Sequence, residues 1–489
     1  MATIPDAVGV YFWAGYDVPN ALVPGLQVLQ QAGFQATARI RLAPAARPRS
    51  STDRGEYRFD DQWESQVPIT APFLPAAVRS TQYQRAFSLP GLRTFVFNAY
   101  DSASTGPLGD QANHLHLEWL DRNADVVRNE YKDMTVALYK TQNGTRKRFI
   151  VCNWETDNDL YRTEDSPSIE KRLAALRRWF QLRQEGIRQG RAIALQNGWD
   201  AVDVNDAIEF NSFRYRNEQF QSCFPGAFVG DTLSNIIKDL KPDYASFSAW
   251  ESSGRFRLYD DLITIKNLLH TSTNGHTQLI VGELGVQAHS RQGFPSPRES
   301  VQSKTWKYVN LVHAAIRAEI PVIILWKAWD YFGQSEGEGL FNGDGTERQV
   351  LRDLKDSFVQ PVRISGVVDQ FDMYGSRAGD GNRYFEVYGK FPEARMGNVS
   401  VNGWVGNYTA IVEFSDGAVL TRSTWGESDS QINLSLTPDL LVKCFHLRLR
   451  RKRDGLMSTA FGPVRLNRIP PESDDCAARV TQRYWDYWD

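Results

Sequence analysis

Eight short runs of apolar and β-branched residues recur along the first two thirds of the chain: "GVYFWAGY" (9–16), "ATARIRLA" (36–43), "RTFVFNAY" (93–100), "RFIVCNWE" (148–155), "VDVNDAIEFN" (202–211), "YASFSAW" (244–250), "QLIVGELG" (278–285) and "PVIILWKAW" (321–329). Each has the length and residue types of a buried strand. Between several of them, apolar residues return every three or four positions. In "SIEKRLAALRRWFQLRQEGIRQGRAIALQ" (168–196), Leu173, Leu176, Trp179, Phe180 and Leu182 gather on one face while arginines and glutamates fill the other, which predicts an amphipathic helix. "HLEWLDRNADVVRNEYKDMTVALYK" (116–140) and "VQSKTWKYVNLVHAAIRAEI" (301–320) read the same way. Strands that alternate with helices pair in parallel, and eight such units close into a (β/α)8 TIM barrel. An open doubly wound sheet is the competing architecture, but no strand runs into the glycine-rich phosphate turn that would favour it.

The texture changes after "LRDLKDSF" (351–358). A proline-containing opening, "VQPVRISGVVDQF", leads into short alternating runs: 384–391, 398–403, 407–425 with a Ser-Asp-Gly turn, 431–436 and 443–453. Turn signals at this spacing predict an antiparallel β-sandwich of immunoglobulin-like type. The expected organisation is a barrel over 1–359, a sandwich over 360–468 and an aromatic tail over 469–489, whose Tyr484, Trp485, Tyr487 and Trp488 are expected to dock onto the protein.

Composition narrows the function classes. The 489 residues carry 56 basic and 58 acidic side chains, a net charge of −2 without long runs of either sign, which argues against nucleic acid or a membrane surface as partner. The basic "RLRRKR" at 448–453 alternates with apolar residues just before it and reads as a solvated strand face. No apolar run reaches the roughly 18 residues of a membrane span, and the first residues show no secretory leader, as in a cytoplasmic chain or a mature secreted form. Four cysteines without a C-x-x-C pair and only seven histidines predict neither a structural metal nor a cofactor, and "GVYFWAGY" lacks the His-x-His pair of metal-dependent barrel hydrolases.

Reactive groups in such a barrel sit where strands end, because the following loops converge on one mouth. Glu155 ends the fourth run and Glu283 the seventh. Strict alternation puts Asn153 and Glu155 on one face of their strand, and Val281 and Glu283 on one face of theirs. Strands four and seven lie across the ring from one another, so the two acids are expected to face each other over the mouth. Glu209 and Glu251, at the ends of the fifth and sixth runs, are rival acids or subsite residues. Fourteen tryptophans and nineteen tyrosines are a heavy aromatic load. Trp154, Trp250 and Trp326 stand at strand ends, where flat rings suit the C–H faces of sugars.

These features resemble the clan A glycoside hydrolases, and "GELG" at 282–285 is similar to the Gly-Glu-Phe-Gly that follows the seventh strand in many of them. The resemblance implies a retaining hydrolase of β-glycosidic bonds in an oligo- or polysaccharide, with Glu155 as acid/base and Glu283 as nucleophile. It further implies that Arg41 keeps the nucleophile ionised and that Trp326 is the platform beneath the cleaved sugar. The clan places Asn directly before its acid/base; here Trp154 stands between Asn153 and Glu155. A barrel that binds carbohydrate or acts as a scaffold without catalysis is the alternative.

Overall fold

The computed structural model describes residues 4–12, 22–42, 72–106, 111–160, 168–212, 232–250, 258–285, 318–329, 339–342 and 345–359, together with single positions between 252 and 316, and the strands from 366 to 465. Glu251, the tail aromatics and most of 301–320 lie outside the described residues.

All eight expected strands form: β1 Val8–Phe12, β2 Thr37–Leu42, β3 Thr94–Ala99, β4 Arg148–Cys152, β5 Asp203–Phe210, β6 Tyr244–Ser248, β7 Gln278–Leu284 and β8 Ile323–Leu325. They pair in sequence order, all parallel, and β1 returns to β8 through Val8↔Ile323, closing the barrel. The interior is filled from alternate positions, with Tyr11, Val96, Ile150, Cys152, Ala207, Ile280 and Ile324 in one buried cluster capped by Trp326. Outside, the helix Thr81–Phe87 lays Phe87 against Phe95 and Phe149, with ring centroids 5.2 and 5.1 Å away.

The helix predicted over 168–196 forms as Ile169–Gln196, and the one predicted over 116–140 forms as Leu117–Arg122 and Ala124–Gln142, divided at Asn123. The two long helices touch backbone to side chain through Gly186 and Gly190. A Cβ at Gly186 would lie 2.4 Å from the Arg128 carbonyl, and one at Gly190 would lie 2.6 Å from Cβ of Thr135. Helix Ile169–Gln196 is pinned to the barrel by Arg183, which pairs with Asp206 of β5 at 2.6 Å while its Nη2 donates to the Ala207 carbonyl at 2.5 Å. Both residues are buried, so the pair holds the helix at one register along β5. No helix among the described residues is long and apolar enough to cross a membrane.

The chain divides into two compact units, with the barrel unit ending at Lys355. The second contains two four-stranded antiparallel sheets. One joins β9 Gly366–Phe371, β10 Arg383–Lys390, β11 Gly397–Asn402 and β14 Gln431–Leu436; the other joins β12 Tyr408–Phe414, β13 Val419–Ser423, β15 Cys444–Arg451 and β16 Phe461–Arg465. The Ser-Asp-Gly turn falls between β12 and β13, where Gly417 adopts φ 88°, a left-handed value that glycine accepts without steric cost.

Candidate active site

One guanidinium and three carboxylates organise the mouth of the barrel. Arg39 of β2 is fully buried. Its Nη1 donates to Glu209 Oε2 at 2.7 Å and to the Gly282 carbonyl at 2.9 Å. Its Nη2 donates to Glu209 Oε1 at 3.1 Å and to the Asn153 carbonyl at 3.0 Å. The same Nη1 lies 3.7 Å from Glu283 Oε1. Burial works against its charge, but Glu209 and Glu283 outweigh that and push its pKa above the usual arginine range. The phenyl face of Tyr11 lies beneath it, with the guanidinium carbon 4.9 Å from the ring centre, and burial lifts the Tyr11 hydroxyl to about 12.

Arg39, one layer deeper on the same strand face, makes an ion pair with Glu283 of the kind that the resemblance assigns to Arg41. Arg41 itself is half-buried nearer the mouth, and its backbone carbonyl accepts from the Tyr83 hydroxyl at 2.5 Å.

Glu209 has no exposed surface. Besides the Arg39 fork, its Oε2 accepts from Ser246 Oγ at 2.9 Å and its Oε1 from the Glu155 backbone N–H at 3.2 Å. Its backbone N–H donates to Asn153 Oδ1 at 3.1 Å, and its carbonyl accepts from Thr156 Oγ1 at 2.5 Å. Asn153 completes the ring by donating to Thr156 Oγ1 at 2.7 Å. Glu209, read from sequence as a rival acid or subsite residue, and Asn153 therefore spend their polar atoms tying the end of β4 to the end of β5.

That tie explains how Glu155 is delivered. The strand stops at Cys152, whose side chain points inward, so simple alternation would send both Asn153 and Glu155 outward. Instead the backbone at Glu155 takes φ 33°, a conformation that non-glycine residues seldom adopt and that costs about 1–3 kcal/mol. The Arg39–Glu209–Asn153 network holds this turn and brings the Glu155 side chain inward, where it is 9% exposed. Its neighbour Trp154, at 44% exposed, faces solvent. The Glu155 carboxylate accepts from Ser248 Oγ at 2.8 Å and from the side-chain amide of Asn158.

Glu283 arrives by a different device. The β6–β7 ladder pairs Phe247 with Val281 and then Ser248 with Glu283, so Gly282 is an extra residue in β7, a β-bulge. Ile280 faces inward, and the bulge turns both Gly282 and Glu283 inward after it. Val281 and Glu283 therefore do not share a face, contrary to the alternation rule. The two glycines of "GELG" have separate reasons. A Cβ on Gly282 would sit 2.1 Å from Glu209 Oε2 and from Ser246 Oγ, and one on Gly285 would meet the Trp250 ring at 2.5 Å. Gly282→Ala is thus expected to push Glu209 off Arg39 and to cost about 2–3 kcal/mol of stability by overpacking. Urea denaturation measures this, and an unchanged midpoint would refute the close approach.

Glu283 is sealed at 1% exposure. Its Oε2 accepts from Trp250 Nε1 at 3.1 Å and lies 3.3 Å from Ser248 Oγ. Since Ser248 also reaches Glu155, the two carboxylate oxygens are no farther apart than 2.8 and 3.3 Å laid end to end. Trp326, 8% exposed, stands next to this pair, its ring 5.2 Å from Tyr11 and 6.2 Å from Trp250. Sequence reasoning missed Arg39, Ser246, Ser248 and Asn158. The serines had left a signal, two polar residues at period two in the otherwise apolar strand "YASFS".

Burial and the nearby Glu209 charge push the Glu283 pKa well above the carboxylate range, with Glu155 adding to the rise; Arg39 and the Trp250 N–H pull it down and do not compensate. A carboxyl whose folded pKa is raised binds its proton more tightly in the folded state. Its contribution to stability is complete below the unfolded value of about 4.3 and is lost as pH climbs toward the folded pKa. The melting temperature of Glu283→Gln relative to the parent is therefore expected to rise with pH from about 4.3 upward. A difference that stays flat with pH would contradict the raised pKa.

Fold and site together define a closed parallel barrel with paired acids at the ends of its fourth and seventh strands. Among solved structures the chain is similar to a calcium-binding mutant of β-glucuronidase 2 from Bacteroides uniformis, at 12% identity and TM-score 0.42, covering 93% of this chain and 45% of that one. It is also similar to GH5_18 from Streptomyces cattleya in complex with GlcNAc, at 11% and 0.43 over 73% and 80% of the two chains. A glucosidase from Croceicoccus marinus is similar at 10% and 0.39, over 89% and 95%. The chain thus spans less than half the length of the β-glucuronidase. No family model and no curated protein matches the chain.

Proposed function

We propose that the protein is a retaining glycoside hydrolase that cleaves β-glycosidic bonds of an oligo- or polysaccharide, with Glu155 as acid/base and Glu283 as nucleophile. The observation that carries this reading is the bridging of the two carboxylates by one hydroxyl, Ser248 Oγ, at 2.8 and 3.3 Å. That closeness fits the separation of about 5–5.5 Å used for retention better than the wider gap that admits a water for inversion. In the first step Glu155 protonates the departing glycosidic oxygen while Glu283 attacks the anomeric carbon, giving a glycosyl ester. In the second, Glu155 removes a proton from water, which attacks the same carbon and releases Glu283. Trp250 fixes one Glu283 oxygen through its N–H, and Trp250, Trp326 and the exposed Trp154 offer ring faces to pyranoses.

The two C-terminal sheets belong, in this proposal, to one sandwich over about 360–468 with its own core, which supports the barrel or binds glycan.

The test is a panel of β-glycans and aryl β-glycosides, with the anomer of the first product followed by proton NMR. Release of the β-anomer supports the reading. Release of the α-anomer would reject retention, and binding of glycans without any turnover would favour a carbohydrate-binding barrel that lacks catalysis.

A further inference from the structure

Ser248 stands between two carboxylates but has one proton to give. Its Oγ lies 2.8 Å from Glu155 Oε1 and 3.3 Å from Glu283 Oε2, both at hydrogen-bonding distance. A serine hydroxyl donates one hydrogen and accepts through its lone pairs. If both acids were ionised, one of these contacts would set oxygen lone pairs against each other. Both contacts are satisfied together when one carboxyl carries a proton and donates it to Ser248, which donates its own hydrogen to the other. Ser248 is buried, and the bulge at Gly282 sets it opposite Glu283.

Burial favours the same shared proton, because Glu283 is 1% and Glu155 9% exposed and two ionised carboxylates side by side in so dry a place repel each other. Among the described residues, β1 presents Tyr11, β2 Arg39 and Arg41, β4 the Cys152 thiol, β5 Glu209, and the segment after β4 the neutral Asn158. Arg39 is committed to Glu209 through two hydrogen bonds and stands farther from Glu283. Burial and Glu209 raise the Glu283 carboxyl above the usual carboxylate range, so a proton within the pair can reside there as well as on Glu155. Hydrolysis needs it on Glu155.

We propose that Ser248 is a proton-bridging residue that keeps a single proton within the Glu155–Glu283 pair and passes it between the two carboxyls, so that Glu155 holds it when the sugar is attacked. The hand-off balances without an outside partner. The O–H bond of Glu283 breaks as its proton passes to Ser248 Oγ, the Ser248 O–H bond breaks as that hydrogen passes to Glu155, and the pair keeps its total charge. This rests on the roles proposed above for the two glutamates. Ser248 acts through them and is a positioning residue.

The test is carboxyl titration of the full-length protein, carbon-13 labelled at glutamate, comparing the parent with Ser248→Ala and Ser248→Thr. A bridge that stabilises the singly protonated pair lowers the first apparent pKa and raises the second. In Ser248→Ala the two are therefore expected to approach each other by about one unit from each side, whereas Ser248→Thr, which keeps the hydroxyl, should retain the parent separation. Identical titrations in parent and Ser248→Ala would overturn the proposal, as would a threonine variant that behaves like alanine while melting like the parent. These readings need no substrate, so absence of glycoside turnover would reject the proposed function and leave the bridge standing or falling on its own. Where turnover is found, Ser248→Ala should narrow the pH profile of kcat/KM by the same amounts, lower kcat more than it changes KM, and do so equally for good and poor leaving groups. A loss that vanishes with good leaving groups would mean that Ser248 serves only Glu155, and would overturn the hand-off.

Discussion

Glu283→Gln is expected to lower the hydrolysis of β-glycosides by more than about 10⁴-fold at unchanged fold, whereas Glu155→Gln is expected to lose about 10²–10⁴-fold, the usual worth of proton donation and removal. In the proposed mechanism the two differ because Gln at 283 removes the atom that attacks the sugar, whereas Gln at 155 removes only help to a leaving group and to water. A phenol with strongly electron-withdrawing substituents departs without protonation, so such a substrate should recover the first step in Glu155→Gln and nothing in Glu283→Gln. The double variant should be little worse than Glu283→Gln, since both groups serve one reaction. Kinetics on a series of aryl glycosides decide the matter. Equal recovery in both variants would mean that the acids are misassigned.

Arg39→Met carries the largest expected effect on folding. The guanidinium lies between Glu209 and Glu283 with no exposed surface, and it also holds the carbonyls of Asn153 and Gly282. Removing one partner from a buried ion pair leaves an uncompensated charge and costs about 3–5 kcal/mol. Here the bereft groups are buried acids, so the loss should show as a lower urea midpoint at neutral pH. Arg39→Lys keeps a charge but not the fork that grips Glu209 through both oxygens, and should recover only part of the loss. Urea denaturation measures both variants; a stability independent of residue 39 would show that the three carboxylates are solvated rather than sealed.

The barrel was legible because each strand had to be apolar enough to fill an interior from one face and meet helices on the other. Runs such as Phe149–Cys152 and Leu279–Val281 meet that demand without ambiguity. β16 was not foreseen, since "FGPVR" mixes glycine and proline into a short run that reads as a turn. At the site, the positions of Glu155 and Glu283 followed from where their strands end, but the means of delivery did not. The left-handed turn at Glu155 and the bulge at Gly282 are both departures from regular strand geometry, so alternation counted from the strand misplaces the side chains beyond them. Arg39 and Arg41 share a face and a residue type. That Arg39 reaches Glu283 depends on the stagger between β2 and β7 around the closed ring, a depth that no local pattern encodes. Glu209 looked like a rival acid for the same reason: a carboxylate at a strand end is equally visible in sequence whether it opens on solvent or is gripped by an arginine.

Covalent labelling tests the central claim most directly. The full-length protein would be incubated with activated 2-deoxy-2-fluoro-β-glycosides of several sugars, which form the glycosyl ester readily and release it slowly, and the proteolytic peptides would then be analysed by mass spectrometry. The account predicts one sugar attached to the peptide that contains Glu283, with the label lost in Glu283→Gln and retained in Glu155→Gln. A label on Glu155 or Glu209, or turnover of β-glycosides without any labelled carboxylate, would contradict it.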